Sequence, residues 1–160
     1  MSSSLIRLVA VAAFLVVVSK QAQALQRRGQ AAGGAPKVPM VQSLGCVERK
    51  GGSTGTWWIT RATDAKPTQT TFFNATDVDE AKATALGTSA YQLIGVADFL
   101  DVDGLLQEGQ RSQFTTRQSA NASGQLRAGR KVVLKGLLIE GEGQKRINLT
   151  QVVSLADACQ

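Results

Sequence analysis

The chain has 160 residues, 43% of them apolar, with 18 lysines and arginines against 12 acids and a formal net charge of +6. It contains no histidine, which removes Ser-His-Asp and Cys-His nucleophilic chemistry together with the commonest zinc ligand. Two cysteines alone make a poor metal site, so no cofactor and no enzymatic activity are expected.

The first segment, "MSSSLIRLVAVAAFLVVVSKQAQA", places Arg7 before an apolar run from Leu8 to Val18 and ends on Ala22-Gln23-Ala24. That order is the pattern of a secretory signal peptide over residues 1–24, cut before Leu25. The run is too short to span the ~30 Å of a bilayer core, so no stable membrane anchor is expected after cleavage. The mature chain is expected to be secreted or periplasmic, where disulfides persist. Residues 25–37, "LQRRGQAAGGAPK", read as a flexible linker that carries Arg27, Arg28 and Lys37 without an acid. Beyond it, 13 basic residues face 12 acidic ones. The high overall charge therefore belongs mostly to leader and linker, which weakens a polyanion reading of the folded part.

Residues 38–160 suffice for one domain with a modest core. "VPMVQSLGCVERK" (38–50) reads as a first strand, and the glycine-rich "KGGSTG" as a turn leading into "TWWITRA" (56–62). Alternation along that strand puts Trp57 and Ile59 on one face and Trp58 and Thr60 on the other, so one tryptophan is expected in the core and its neighbour partly exposed. "TTFFNAT" is a third strand candidate. In "DVDEAKATALG", Asp77 stands where a helix cap would, with Glu80 three residues on and Gly87 at the end, which predicts one short helix. "SAYQLIGVA" (89–97), "KVVLKGLLIE" (131–140) and "RINLTQVVSL" (146–155) read as further strands. In the last, Ile147, Leu149, Val153 and Leu155 are expected on one face, with Asn148, Thr150, Val152 and Ser154 on the opposite one. Gly136, inside a strand, marks a bend or a close backbone approach. The expected fold is mainly β: a small closed or partly open OB-like barrel of five to six strands with one short helix and a long loop at 98–130.

Four pieces, "SLGCVE", "YQLIGVADFL", "RAGRKVVLKGLLIE" and "INLTQVVSLADACQ", resemble a group of small secreted bacterial proteins of unknown function. Their outline is a Gly-Cys in the first strand, a Tyr-x-Leu segment, a glycine-bearing strand and a Cys after the last strand. These motifs imply a fold and no chemistry. Where the group often has a "HVGH" this chain has "RAGR", so no histidine-based role carries over. With two cysteines in an exported chain, the simplest pairing is Cys46 with Cys159, joining the first strand to the tail. An intermolecular bridge and a free reactive thiol are the alternatives.

Three stretches could carry a ligand. "DFLDVDGLLQEGQ" (98–110) imitates part of a calcium loop, but its register puts Phe99 and Gln110 where ligands belong, leaving only a looser set of Asp98, Asp101, Asp103 and Glu108. "RSQFTTRQSANASGQLRAGR" (111–130) holds four arginines and no acid and reads as a mobile loop. Arg111, Arg117, Arg127, Arg130, Lys131 and Lys135 are thus the candidates for an acidic polymer, nucleic acid or polysaccharide. Trp58, half-exposed on a strand, could stack a sugar or a base. The chain's three asparagines, Asn74, Asn121 and Asn148, all lie in N-x-Ser/Thr sequons, which the bacterial resemblance suggests are unused. The expected function is a non-catalytic binding or structural module, with polyanion binding through 111–135 as the alternative.

Overall fold

The computed structural model describes residues 38–52, 55–108, 114–141 and 143–160. The expected leader, the linker and Arg111 lie outside the described residues. Six strands form one sheet: β1 (Met40–Lys50), β2 (Thr56–Ala62), β3 (Lys66–Pro67), β4 (Ser89–Ile94), β5 (Lys131–Gly141) and β6 (Gln144–Ala156). The sheet runs β2-β4-β6-β5-β1-β3, and β2 also pairs with β1, so five strands close into a ring with β3 appended to β1. β4 and β6 pair in parallel; the other pairings are antiparallel. Closure leaves few unpaired edges, which is how a short all-β domain avoids edge-to-edge association.

The inside of the ring is filled by Val41, Val47, Trp57, Ile59, Tyr91, Leu93, Val132, Leu134, Ile147, Leu149 and Val152. Two glycines permit the tight curvature. A Cβ on Gly45 would lie 2.7 Å from the Thr60 carbonyl oxygen and 2.9 Å from the Ala62 Cα, because β2 folds sharply across β1 there. A Cβ on Gly136 would run into the Asn148 carbonyl and the Ile147 side chain, at the point where the β5–β6 ladder shifts register between Lys135 and Gly136.

That bulge overturns the simple alternation expected for the last strand. Gly136 pairs with Leu149 and Lys135 with Gln151, which leaves Thr150 as the extra residue. An inserted residue inverts the face of everything after it. Val152 therefore joins Ile147 and Leu149 inside the ring, whereas Val153 and Leu155 turn outward to a second cluster with Leu44, Val133 and Ala81.

The helix also starts earlier than expected. α1 spans Ala75–Ala83, and its N-cap is Asn74. Asn74 Oδ1 accepts from the Asp77 amide at 2.8 Å, and Asp77 Oδ2 accepts from the Asn74 amide at 3.2 Å, closing a capping box. Asp77 is the third helical residue of that box and not its cap. "TTFFNAT" consequently forms no strand; it is the approach to the helix, with Phe73 packed on the second cluster.

The stretch read as a loop from 98 contains a 3-10 turn (Ala97–Phe99) and a six-residue helix, α2 (Val102–Gln107). Its later part is stitched to the ring. Leu126 is buried, its amide donates to the Phe99 carbonyl at 2.7 Å, and the Ser123 and Gly124 amides donate to Asp98 and Leu100. A buried leucine and a set of backbone hydrogen bonds together hold a segment that composition alone marks as mobile.

Cys46 and Cys159 form a disulfide with Cα atoms 5.6 Å apart across 113 residues of sequence. The Cys159 amide donates to the Gly129 carbonyl at 2.8 Å, and the Gly129 amide donates to Val47, so the tail is held by backbone as well as by sulfur.

Candidate functional site

The outer surface of the ring divides into two halves. On the first, Leu44 of β1, Val133 of β5 and Val153 and Leu155 of β6 form an apolar stripe that Phe73, Ala81 and Leu86 cover. Lys135 lies under this cover, 1% exposed. Its Nζ donates to Thr70 Oγ1 at 2.8 Å and to the Phe72 carbonyl at 2.7 Å, stands 3.6 Å from Asp77 Oδ2, and lies 4.3 Å from the Phe73 ring centre. Gln151 Oε1 also accepts from the Phe73 amide at 2.8 Å. These groups hold residues 70–77 on the sheet.

The second half is built from the end of β1, β2, β4 and the start of β6. Strand register lines up Glu48, Trp58, Gln92 and Arg146 in one row across four strands, Glu48 opposite Trp58, Trp58 opposite Gln92, and Gln92 beside Arg146. Glu48, Lys50 and Thr56 are exposed, and Trp58, Gln92 and Arg146 are half-buried. The Trp58 indole N–H donates to Thr56 Oγ1 at 2.8 Å, and Lys50 Nζ sits 4.5 Å from the ring centre. Thr60 donates to Glu48 Oε1 at 2.7 Å. The Arg146 Nε is buried without a hydrogen-bond partner among the described residues.

Trp58 keeps its place because its neighbour is fixed. Trp57 points into the ring and is 8% exposed. Its Nε1 donates to Glu108 Oε1 at 3.0 Å, the same oxygen accepts from Arg49 Nη2 at 2.8 Å, and the Arg49 guanidinium lies 5.0 Å from the Trp57 ring centre. α2 thereby clamps the β1–β2 hairpin from inside. Trp57 and Trp58 fall on opposite faces as the alternation predicted.

The basic residues of 111–135 do not gather into one patch. Arg117 is ion-paired with Asp103. Arg130 donates to the Gly124 carbonyl at 2.8 Å and pairs with Asp157 at 2.9 Å, tying the tail to the preceding loop. Lys131 donates to the Lys82 and Thr84 carbonyls at 3.3 and 3.1 Å, satisfying the C-terminal end of α1. Lys135 is buried under the helix, and Arg127 alone of the described group stands exposed with no such contact. The acids of 98–108 are dispersed likewise. Asp101 Oδ1 caps α2 by accepting from the Gly104 amide at 2.8 Å, Asp103 faces Arg117, and Glu108 serves Trp57 and Arg49. Among the described residues, no group of three His, Cys, Asp or Glu side chains is placed to hold a metal ion, and no helix is long and apolar enough to cross a membrane. Of the sequon asparagines, Asn74 is engaged in the capping box and Asn148 lies against Gly95; Asn121 is exposed.

Gln92 and Arg146 were not singled out from sequence. Alternation assigns each to an outward face, but their alignment with Trp58 depends on the register of three strands, one pairing of which is parallel. Comparison of the chain with family models, with curated proteins and with solved structures yields no match.

Proposed function

We propose that the protein is an exported, non-catalytic binding module that holds a polysaccharide chain against the row Glu48, Trp58, Gln92 and Arg146. The observation that carries this reading is the half-exposed Trp58 indole, set on a strand, braced from behind by Trp57, and flanked by polar side chains of both signs. A sugar ring offers an apolar face to stack on an indole and hydroxyls at its edge for Glu48, Gln92 and Arg146. Lys50 is exposed and flexible, so an incoming ring displaces it at little cost. The surface is the outside of a ring and not a deep cleft, which suits a polymer that makes several shallow contacts better than a small molecule requiring enclosure. Glu48, directly opposite Trp58, disfavours phosphate and sulfate polymers at this place. The basic stretch 111–135 supports the polyanion alternative less well, because four of its described cations have partners within the domain. Export is supported by the leader pattern and by the disulfide.

Titration of the mature protein with hexaoses of glucose and of N-acetylglucosamine, read by isothermal calorimetry so that the Trp58→Ala variant keeps its readout, tests the assignment. Saturable binding that falls about tenfold or more in Trp58→Ala and is retained at 0.5 M salt, about three times physiological ionic strength, is expected. No saturable signal with either sugar, or binding to heparin or single-stranded DNA that weakens steeply with salt and survives Trp58→Ala, overturns it.

A further inference from the structure

A cavity of about 250 Å³ lies between the ring and α1, apart from the Trp58 face. Leu44, Ala81 and Val133 form an apolar floor, Thr63 supplies a polar wall, and Lys66 of β3 and Glu80 of α1 stand on its rim. Among the described residues neither Lys66 nor Glu80 has an ion-pair or side-chain hydrogen-bond partner. Each is exposed, and although both border the same opening they do not pair with one another. Asp77 also borders the cavity, but its carboxylate is engaged by the Asn74 amide and by Lys135. Glu80 is therefore the acid on this rim left without a counter-charge.

We propose that this cavity binds a small zwitterion of the free α-amino-acid class. The ammonium group meets the Glu80 carboxylate, the carboxylate meets the Lys66 ammonium, and a short aliphatic side chain rests on Leu44, Ala81 and Val133. The volume lies below the ~300–1,000 Å³ of pockets that take drug-sized ligands and suits a molecule of valine size. A ligand carrying both charges completes two ion pairs that the protein alone does not form. A purely cationic or purely anionic ligand completes one and leaves a like charge on the far rim. Thr63 is held in place, its Oγ1 accepting from the Leu44 amide at 3.1 Å and its carbonyl accepting from Ser43 Oγ at 2.7 Å. Gln42 and Thr84 also line the cavity, and the two rim charges are its full charges left without an ion-pair partner among the described residues.

The test uses the folded mature protein with L-valine, N-acetyl-valine and valine amide as probes, followed by amide chemical shifts of Thr63, Lys66, Glu80 and Ala81. Saturable shifts with L-valine at millimolar concentration are expected, weakened about tenfold or more by N-acetylation, by amidation, by Glu80→Gln and by Lys66→Gln. Both variants change exposed side chains without tertiary partners, so their melting temperatures are expected to match the parent. Binding that is indifferent to blocking either end of the probe, or to either substitution, overturns the proposal, as does the lack of saturable shifts at these residues. None of these outcomes bears on the polysaccharide reading, since Trp58 lies on the other half of the ring.

Discussion

Lys135 and Lys50 each place an ammonium over an aromatic ring, at 4.3 Å from Phe73 and 4.5 Å from Trp58, yet they belong to opposite kinds of surface. Lys135 is sealed beneath the segment leading into α1, with a carbonyl, a hydroxyl and a carboxylate around it. Lys50 is exposed, and among the described residues the Trp58 indole beneath it has only Thr56 as a hydrogen-bond partner. The same pair of groups stabilises the fold on one half of the ring and remains open to a ligand on the other. What differs is cover: a buried cation must be fully satisfied, because leaving it unpaired is costly, whereas an exposed one contributes little and gives way easily.

Substitutions can break or sharpen that contrast. The largest effect is expected from Cys46→Ser with Cys159→Ser, because Cys46 stands between Leu44 on the covered half and Glu48 on the open one. Releasing a 113-residue closure should lower stability by about 4–5 kcal/mol in the chain-entropy model, measured by urea unfolding. Lys135→Ala comes next at about 3 kcal/mol, from the loss of a buried hydrogen-bonded charge and the unsatisfied Phe72 carbonyl. Its structural signature is faster amide exchange across 70–77 with protection of β2 and β4 unchanged. Asn74→Ala removes the helix cap and should cost about 1 kcal/mol, loosening the cover without opening the ring. Lys50→Ala is expected to change stability by less than about 0.5 kcal/mol. A loss of 2 kcal/mol or more there would mean that the open half is also a structural surface, and the contrast would fail.

Much of the ring is legible in the residues. β2 coincides with "TWWITRA", the pairing of the two cysteines is the simplest that a leader-like start and a count of two suggest, and the separation of Trp57 from Trp58 follows from a two-residue period. The bulge at Thr150 is only partly legible: the adjacent polar pair Thr150-Gln151 breaks the alternation in "NLTQVV" and Gly136 marks the facing place, but only the opposing strand shows which residue is left over. The start of the helix is ambiguous in the residues alone. Both Asn74 and Asp77 are good caps; the reciprocal bonds between them make Asn74 the cap, and Asp77 is also held 3.6 Å from Lys135, more than fifty residues away.

The candidate site divides in the same way. An outward tryptophan can be read from a strand pattern, and so can a basic stretch, but whether the cations of that stretch are free cannot. Sequence by itself determined the mainly β class, the simplest pairing of the two cysteines and the placement of the two tryptophans on opposite sides of one strand, because these depend on local period and on there being a single possible pair. Tertiary structure decided that Lys131 and Lys135 serve α1, that Gln92 and Arg146 join Trp58, and that Lys66 faces a cavity with Glu80 across it. Those outcomes depend on register between strands and on where one short helix lands, and neither is encoded within any single segment.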